Sequence, residues 1–120
     1  MGEIEWDDQV AAYAEQYASM RMGDCALQHS QGGPYGENLA LGSGDFMTGT
    51  YAVEMWVEEQ ANYDYDSNTC ADGEQCGHYT QVVWSDSNRV GCARVQCDNG
   101  WYFVTCNYSP PGNVIGQKPY

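Results

Sequence analysis

The sequence predicts a layered α+β domain held together by three disulfide bonds. Apolar residues recur at helical spacing in the first half of the chain, two β-rich runs flank a turn near its end, and the chain contains six cysteines. At 120 residues the chain is one domain by length and can bury roughly two-thirds of its unfolded surface. Because helices beside an antiparallel hairpin bury their apolar faces on the sheet, we expect packed layers.

The first helix is predicted over residues 8–22, where apolar side chains recur every three or four positions. Asp7 is the expected N-cap and Gly23 the expected C-terminal stop. A glycine-rich loop follows over residues 30–36, and residues 38–41 favour a short buried strand.

A second helix is predicted over about residues 46–61, opened by Ser43, Gly44 and Asp45. Residues 63–75 are polar and favour a loop. The segment His78–Trp84 is consistent with either a helix or a strand.

The end of the chain favours a β-hairpin. Val90–Cys97 and Trp101–Tyr108 are β-rich, and Asp98-Asn99-Gly100 between them is a turn sequence. If all three turn residues belong to the loop, Cys92 lies opposite Cys106. A two-residue loop would separate this pair.

The cysteine spacing is typical of a secreted, disulfide-bonded domain. The absence of a C-x-x-C pair argues against a zinc ribbon or a thioredoxin-type site. Cys97 lies five residues from Cys92 and faces the other side of the sheet, where Cys25, just past the first helix, is well placed. Cys70 and Cys76 then remain as a local pair.

Charge excludes two classes of partner. Four basic against 17 acidic residues give a net charge of −13, which opposes binding to nucleic acids and to anionic membrane surfaces. No apolar run approaches the roughly 20 residues needed to cross a bilayer, so no membrane insertion is expected. The residues before the first helix do not have the pattern expected of a signal peptide.

Two histidines and two glutamates are the candidate site. His29 and His78 both lie beside turn-forming sequence, and Glu37 follows His29 by eight residues. In the second helix Glu59 lies about 60° around the axis from Trp56, whereas Glu54 and Glu58 lie on the solvated face. Such a set suits metal binding or acid–base chemistry, although a lone histidine is more often a hydrogen-bonded structural residue.

No nucleophile motif accompanies these residues. The sequence lacks G-x-S-x-G and H-E-x-x-H, and the cysteines are expected in disulfides. We therefore expect a protein that is not an enzyme. The alternative is a metal-dependent, protease-like hydrolase using His29, Glu37, Glu59 and His78.

Several long motifs resemble one family. "GHYTQVVWS" (Gly77–Ser85) and "FVTCNYSPPGNV" (Phe103–Val114) resemble the two signatures of the CAP superfamily of cysteine-rich secretory, antigen 5 and pathogenesis-related proteins. "LQHS", "YGENLALGSGDF" and the ending "PPGNVIGQKPY" resemble the plant pathogenesis-related class 1 branch. The resemblance runs from about Trp6 to Tyr120.

The resemblance implies a three-layer α-β-α sandwich with a central antiparallel sheet. A cleft in it would hold a tetrad of His29, Glu37, Glu59 and His78. The family's disulfide pattern, Cys25–Cys97, Cys70–Cys76 and Cys92–Cys106, agrees with the hairpin argument. Residues 1–109 would form the CAP domain without the family's first helix, and residues 110–120 an extended tail.

The resemblance also implies a function. Members are secreted, here to the extracellular space (the apoplast), and the plant branch is associated with antifungal and anti-oomycete defence through binding of a sterol or other lipid. Tyr63 and Tyr65 are the candidate lipid contacts. No cofactor is required, but His29 and His78 could bind zinc or copper. We expect a monomer.

The tail resembles a released immune signalling peptide with its own receptor. Ser109 and Pro110 match the family's proposed cleavage point. Prolines cannot continue a β-ladder, so we expect the chain to leave the sheet here, anchored only by Val114, Ile115 and Tyr120.

Overall fold

A computed structural model describes residues 4–30 and 33–120; Gly32 of the predicted glycine-rich loop lies outside the described residues. The described chain contains three α-helices, one 3₁₀-helix and six strands. In chain order these are β1 (Glu5–Trp6), α1 (Asp8–Met20), β2 (Gly36–Gly42), α2 (Gly49–Glu58), the 3₁₀-helix (Glu59–Asn62), β3 (Tyr63–Asp64), β4 (Thr69–Cys70), α3 (Gly77–Val82), β5 (Arg89–Gln96) and β6 (Tyr102–Ser109).

Helix α1 begins where the sequence predicts and ends slightly earlier. The Asp7 carboxylate accepts hydrogen bonds from the backbone N–H groups of Gln9 (2.8 Å) and Val10 (3.1 Å), as expected of an N-cap. The C-cap is Arg21 rather than Gly23, because the Arg21 N–H already bonds to Ala18.

The predicted start of the second helix is wrong. Helix α2 begins at Gly49, and its N-cap is Thr48, whose Oγ1 accepts the Tyr51 N–H at 3.1 Å. The preceding segment is held by tertiary contacts instead: Met47 is buried, and Arg94 donates to the carbonyls of Met47 (2.6 Å) and Asp45 (2.9 Å).

The sheet has the strand order β1-β5-β6-β2, and it is mixed rather than wholly antiparallel. β5 and β2 each run antiparallel to the central strand β6, as expected. The two-residue edge strand β1 pairs parallel to β5, through Glu5 N–H to Asn88 and Asp7 N–H to Val90, both 2.9 Å.

Alternation along the strands divides the core between two faces. Phe103 and Leu39 pack with Tyr17 of α1 on one face. Val104 and Cys106 pack with Trp56 of α2 on the other. The three-layer α-β-α arrangement is therefore confirmed.

The three disulfide bonds are Cys25–Cys97, Cys70–Cys76 and Cys92–Cys106, the pairing expected from the sequence. Cys92 lies directly opposite Cys106 because the hairpin has a three-residue loop, closed by the Cys97 N–H bond to Trp101 at 2.7 Å. Gly100 occupies the left-handed region of that loop at φ 89°.

The ambiguous segment is helical: α3 covers Gly77–Val82, and the Cys70–Cys76 disulfide joins β4 to its start. Across the described part of the chain, none of the helices has the length and hydropathy needed to traverse a membrane.

Candidate functional site

The first half of the site is a buried carboxylate beside an exposed imidazole. His29 Nδ1 lies 2.8 Å from Glu37 Oε1; the His29 side chain is 60% exposed and that of Glu37 only 7%. Three further donors reach the same carboxylate: Ser30 N–H (2.9 Å), Ser30 Oγ (2.5 Å) and Asn107 Nδ2 (3.0 Å). This dense set of bonds satisfies a carboxylate that burial would otherwise destabilise.

The second half joins the 3₁₀-helix to α3. His78 Nδ1 lies 2.7 Å from Glu59 Oε2, while Glu59 Oε1 accepts the backbone N–H groups of His78 (3.1 Å) and Tyr79 (3.3 Å). Glu59 therefore caps the first turn of α3 as well as binding the imidazole. Trp56, a buried residue of α2, stacks on the His78 ring at a centroid distance of 6.0 Å.

These pairs straddle the edge of the sheet. Glu37 and Asn38 are consecutive on the edge strand β2, so their side chains point to opposite faces. Glu37 meets Asn107 on the α1 face. Asn38 donates to the His78 carbonyl at 3.1 Å on the α3 face.

One cavity of about 390 Å³ brings three of the four predicted residues together. Glu59 is behind His78 and does not line it. The lining residues are His29, Glu37, Asn38, Gln75, Cys76, Gly77, His78 and Asn113.

The hydrogen bonds determine what each imidazole can do. An ionised carboxylate only accepts, so a neutral imidazole bound to it through Nδ1 carries its proton there and keeps its lone pair on Nε2. Such a nitrogen can bind a metal ion or accept a proton. Within residues 4–30 and 33–120, however, no three His, Cys, Asp or Glu side chains form a metal-binding group.

The structure places Tyr63 and Tyr65 apart from the histidines. The Tyr63 ring lies 5.9 Å from that of Tyr79. Tyr65 stacks on Tyr120 of the tail at 4.9 Å. A second cavity of about 310 Å³ adjoins them, lined by Val57, Gln60, Tyr79, Val83 and Tyr120.

Burial raises the pKa of two tyrosines in this region. Burial, and after it the hydrogen bond to Tyr120, raise the pKa of Tyr79 to about 12. Burial likewise raises the pKa of Tyr63. Tyrosine is already neutral at physiological pH, and the raised pKa values extend the uncharged state of these two side chains to more alkaline pH.

The expected anchoring of the tail is wrong for Val114 and Ile115 but correct for Tyr120, which stacks on Tyr65. Val114 and Ile115 are exposed, Ile115 to 99%, whereas Pro119 is fully buried. As expected, no strand follows Ser109. Ser109 itself is still in β6, and its carbonyl accepts the Asn88 N–H at 3.0 Å.

Sequence reasoning missed Ser30 and Asn107, which hold Glu37. Asn107 lies in β6, which is buried on both faces, and a buried amide at such a position signals a fixed hydrogen-bond partner. Ser30 directly follows His29, but only the folded backbone shows that both reach one carboxylate.

Comparison with known proteins agrees with this architecture. The family model described as "Cysteine-rich secretory protein family" (CAP) matches residues 1–108. Pathogenesis-related protein 1A of Nicotiana tabacum is 68% identical over 117 residues, covering 98% of this chain and 69% of the relative.

Solved structures with similar folds are also found. Venom allergen-like protein 4 of Schistosoma mansoni superposes with a TM-score of 0.76 at 28% identity, covering 98% of this chain and 75% of that one. The crystal structure of NaASP2 with Zn²⁺ gives a TM-score of 0.74 at 26% identity, with 98% and 67% coverage. The sandwich, the three disulfides and the sequence identity together show that this chain belongs to the cysteine-rich secretory protein (CAP) family, in its plant pathogenesis-related class 1 branch.

Proposed function

We propose that this chain is a secreted plant defence protein that binds a sterol or another lipid and acts against fungi and oomycetes by withholding it. Its relatives are named pathogenesis-related proteins, and three disulfides suit an oxidising, extracellular compartment. The role is binding rather than catalysis.

The observation that carries this proposal is the cavity beside Tyr79. Val57 and Val83 line it with apolar surface, and its volume of about 310 Å³ lies at the lower end of the range of ligand pockets. Tyr63 and Tyr65 do not line the cavity, but they contact its lining residues Tyr79 and Tyr120 and so extend the aromatic surface beyond it. On a protein of net charge −13, this surface suits an uncharged lipid better than an anionic one.

Binding of labelled cholesterol and ergosterol tests the proposal. Val57→Asn places an amide in the cavity and should weaken binding about tenfold, the usual effect of a mismatched group in an apolar pocket. Glu58→Asn is the matched control, since Glu58 is exposed on the same helix and does not line the cavity. Failure of both sterols to bind saturably would refute the proposal.

A second candidate is metal binding at the histidine cavity, including the hydrolase alternative. It is favoured by two imidazoles that line one cavity with Nε2 free, and by the NaASP2 structure with Zn²⁺. Imidazole suits zinc and copper. Two protein ligands leave the remaining positions to water, so His29 and His78 would bind the ion weakly.

Calorimetric titration with Zn²⁺ and Cu²⁺ separates this candidate from the first. His29→Ala combined with His78→Ala should abolish binding, whereas Glu54→Ala combined with Glu58→Ala should leave it unchanged. Equal affinity in the histidine variant would assign the metal to surface carboxylates. A peptidase panel run with and without metal tests hydrolysis.

Release of the tail as an immune peptide, read by its own receptor, is the third element of the proposal. Pro110 and Pro111 are exposed, which suits a protease, although cutting after Ser109 requires the end of β6 to open. Mass spectrometry of the chain in plant extracellular fluid should detect Pro110–Tyr120. A tail that persists until the domain is digested would contradict this role.

A further inference from the structure

The last residues of the chain lie in a groove between α3 and the β3–β4 turn. Pro119 is fully buried there, and its carbonyl accepts the Ser85 N–H at 2.8 Å. Asn68 Nδ2 donates to the Gln117 carbonyl at 3.2 Å. We call this surface the tail groove; its residues are Tyr65, Asn68, Tyr79, Gln81, Trp84 and Ser85.

Aromatic contacts fix the end of the tail. The Tyr120 ring stacks on Tyr65 with an interplanar angle of 15°. Its hydroxyl lies 2.9 Å from that of Tyr79, and the Tyr65 hydroxyl donates to its carbonyl. Lys118 Nζ lies 4.4 Å from the centre of the Tyr65 ring, in cation–π contact.

The start of the tail is held as closely. Gly112 donates its N–H to Gln81 Oε1 at 3.0 Å, and Gln81 is a fully buried amide. A Cβ on Gly112 would collide with the Gln81 and Trp84 side chains. The Asn113 side chain accepts from Thr80 Oγ1 (2.6 Å) and donates to the Gly77 carbonyl (3.0 Å).

None of these contacts depends on the peptide bond between Ser109 and Pro110. We infer that the tail groove is a peptide-binding site, and that residues 112–120 remain bound to it after the chain is cut at that bond. The ligand class is a short peptide with a proline–tyrosine pair preceded by a lysine. The inference rests on the proposed function in one respect: if the tail is a signal, its release from the groove is a separate step from cleavage.

The test uses the full chain with a recognition sequence for a site-specific protease inserted between Pro110 and Pro111, both exposed. After cutting, we expect the fragment to co-elute with the body in gel filtration and native mass spectrometry. Excess synthetic peptide of residues 111–120 should displace it. Tyr120→Ala should lower the retained fraction at least tenfold, because it removes the stacked ring and the hydroxyl contact.

Ile115→Ala is the matched control within the tail, since Ile115 is 99% exposed and should not affect retention. Tyr65→Ala in the body should release the fragment, and Tyr51→Ala, at an exposed tyrosine of α2, should not. The inference would be overturned if the fragment without substitutions separated from the body in the first gel filtration. It would also be overturned if the Tyr120→Ala fragment were retained equally. Because cutting is imposed, absence of cleavage in plant fluid would contradict only the proposed signalling role.

Discussion

Glu59 provides the sharpest test of what the His–Glu pairs contribute. Its carboxylate accepts three hydrogen bonds: from the His78 imidazole at 2.7 Å and from the backbone N–H groups of His78 and Tyr79 at 3.1 and 3.3 Å. Glu59→Ala removes both acceptor oxygens, and with them all three hydrogen bonds, and leaves the first turn of α3 uncapped. We therefore expect this substitution to destabilise the domain as well as to free the His78 side chain that lines the histidine cavity.

The magnitude follows from the contacts. Loss of an N-cap costs about 0.5–2 kcal/mol, and a hydrogen bond to a charged group contributes about 1.5–3 kcal/mol. The side chains of Glu59 and His78 are 17% and 27% exposed, so water replaces part of this loss. We expect about 2–3 kcal/mol in total, a fall in Tm of about 8–12 °C for a domain of this size. Glu59→Gln keeps one acceptor oxygen and should lose about half as much.

Urea and thermal unfolding without reductant would measure these differences. Glu58→Ala is the control, because Glu58 is the exposed neighbour in the last turn of α2 and should change stability by less than about 0.5 kcal/mol. A double-mutant cycle with His78→Ala isolates the coupling of the pair. If Glu59→Ala has the same urea midpoint and the same Tm as Glu58→Ala, the capping argument is refuted.

Three further perturbations have defined outcomes. Gly91→Ala places a Cβ against the Ala11 backbone and should lower the urea midpoint by the equivalent of about 1–3 kcal/mol; an unchanged midpoint would show that α1 can shift. Replacing Cys25 and Cys97 by alanine opens a loop of 72 residues and should cost about 4 kcal/mol of chain entropy, against about 2 kcal/mol for the six-residue disulfide. The Tyr79 phenol has its pKa raised from 10.0 to about 12, so its contribution to stability is complete below pH 10 and lost as the pH rises towards 12. In Tyr79→Phe this alkaline loss should shrink and one late-titrating tyrosine should vanish from the absorbance titration, whereas an unchanged curve would contradict the assignment.

The sequence predicted the elements that depend on local signals. The Asp7 cap sets the start of α1 locally. The turn sequence 98–100 predicts the hairpin but allows two loop lengths, and the structure has the three-residue loop that pairs Cys92 with Cys106. Helical periodicity selected Glu59 because the side chain that turns towards α3 must lie near Trp56 on the helix surface.

What the sequence could not predict depends on distant partners. The segment before α2 is held by hydrogen bonds from Arg94, and the two-residue strand β1 exists only through its pairing with β5. Hydrophobicity selected Val114 and Ile115 as anchors of the tail. Pro119 is buried instead, because the groove that receives it is assembled from α3 and the β3–β4 turn.

Helix α3 connects the histidine cavity with the tail groove. Its first turn carries His78, held by Glu59, and its following residues hold the tail through Thr80 and Gln81. Asn113 belongs to both, because it binds this helix and also lines the histidine cavity. Displacing the tail therefore removes part of the wall around His78, whereas a change at His29, on the opposite side of the cavity and bound to Glu37, leaves the tail contacts in place. A variant of α3 must accordingly be assayed for both tail retention and metal binding, whereas effects at His29 report on the cavity alone.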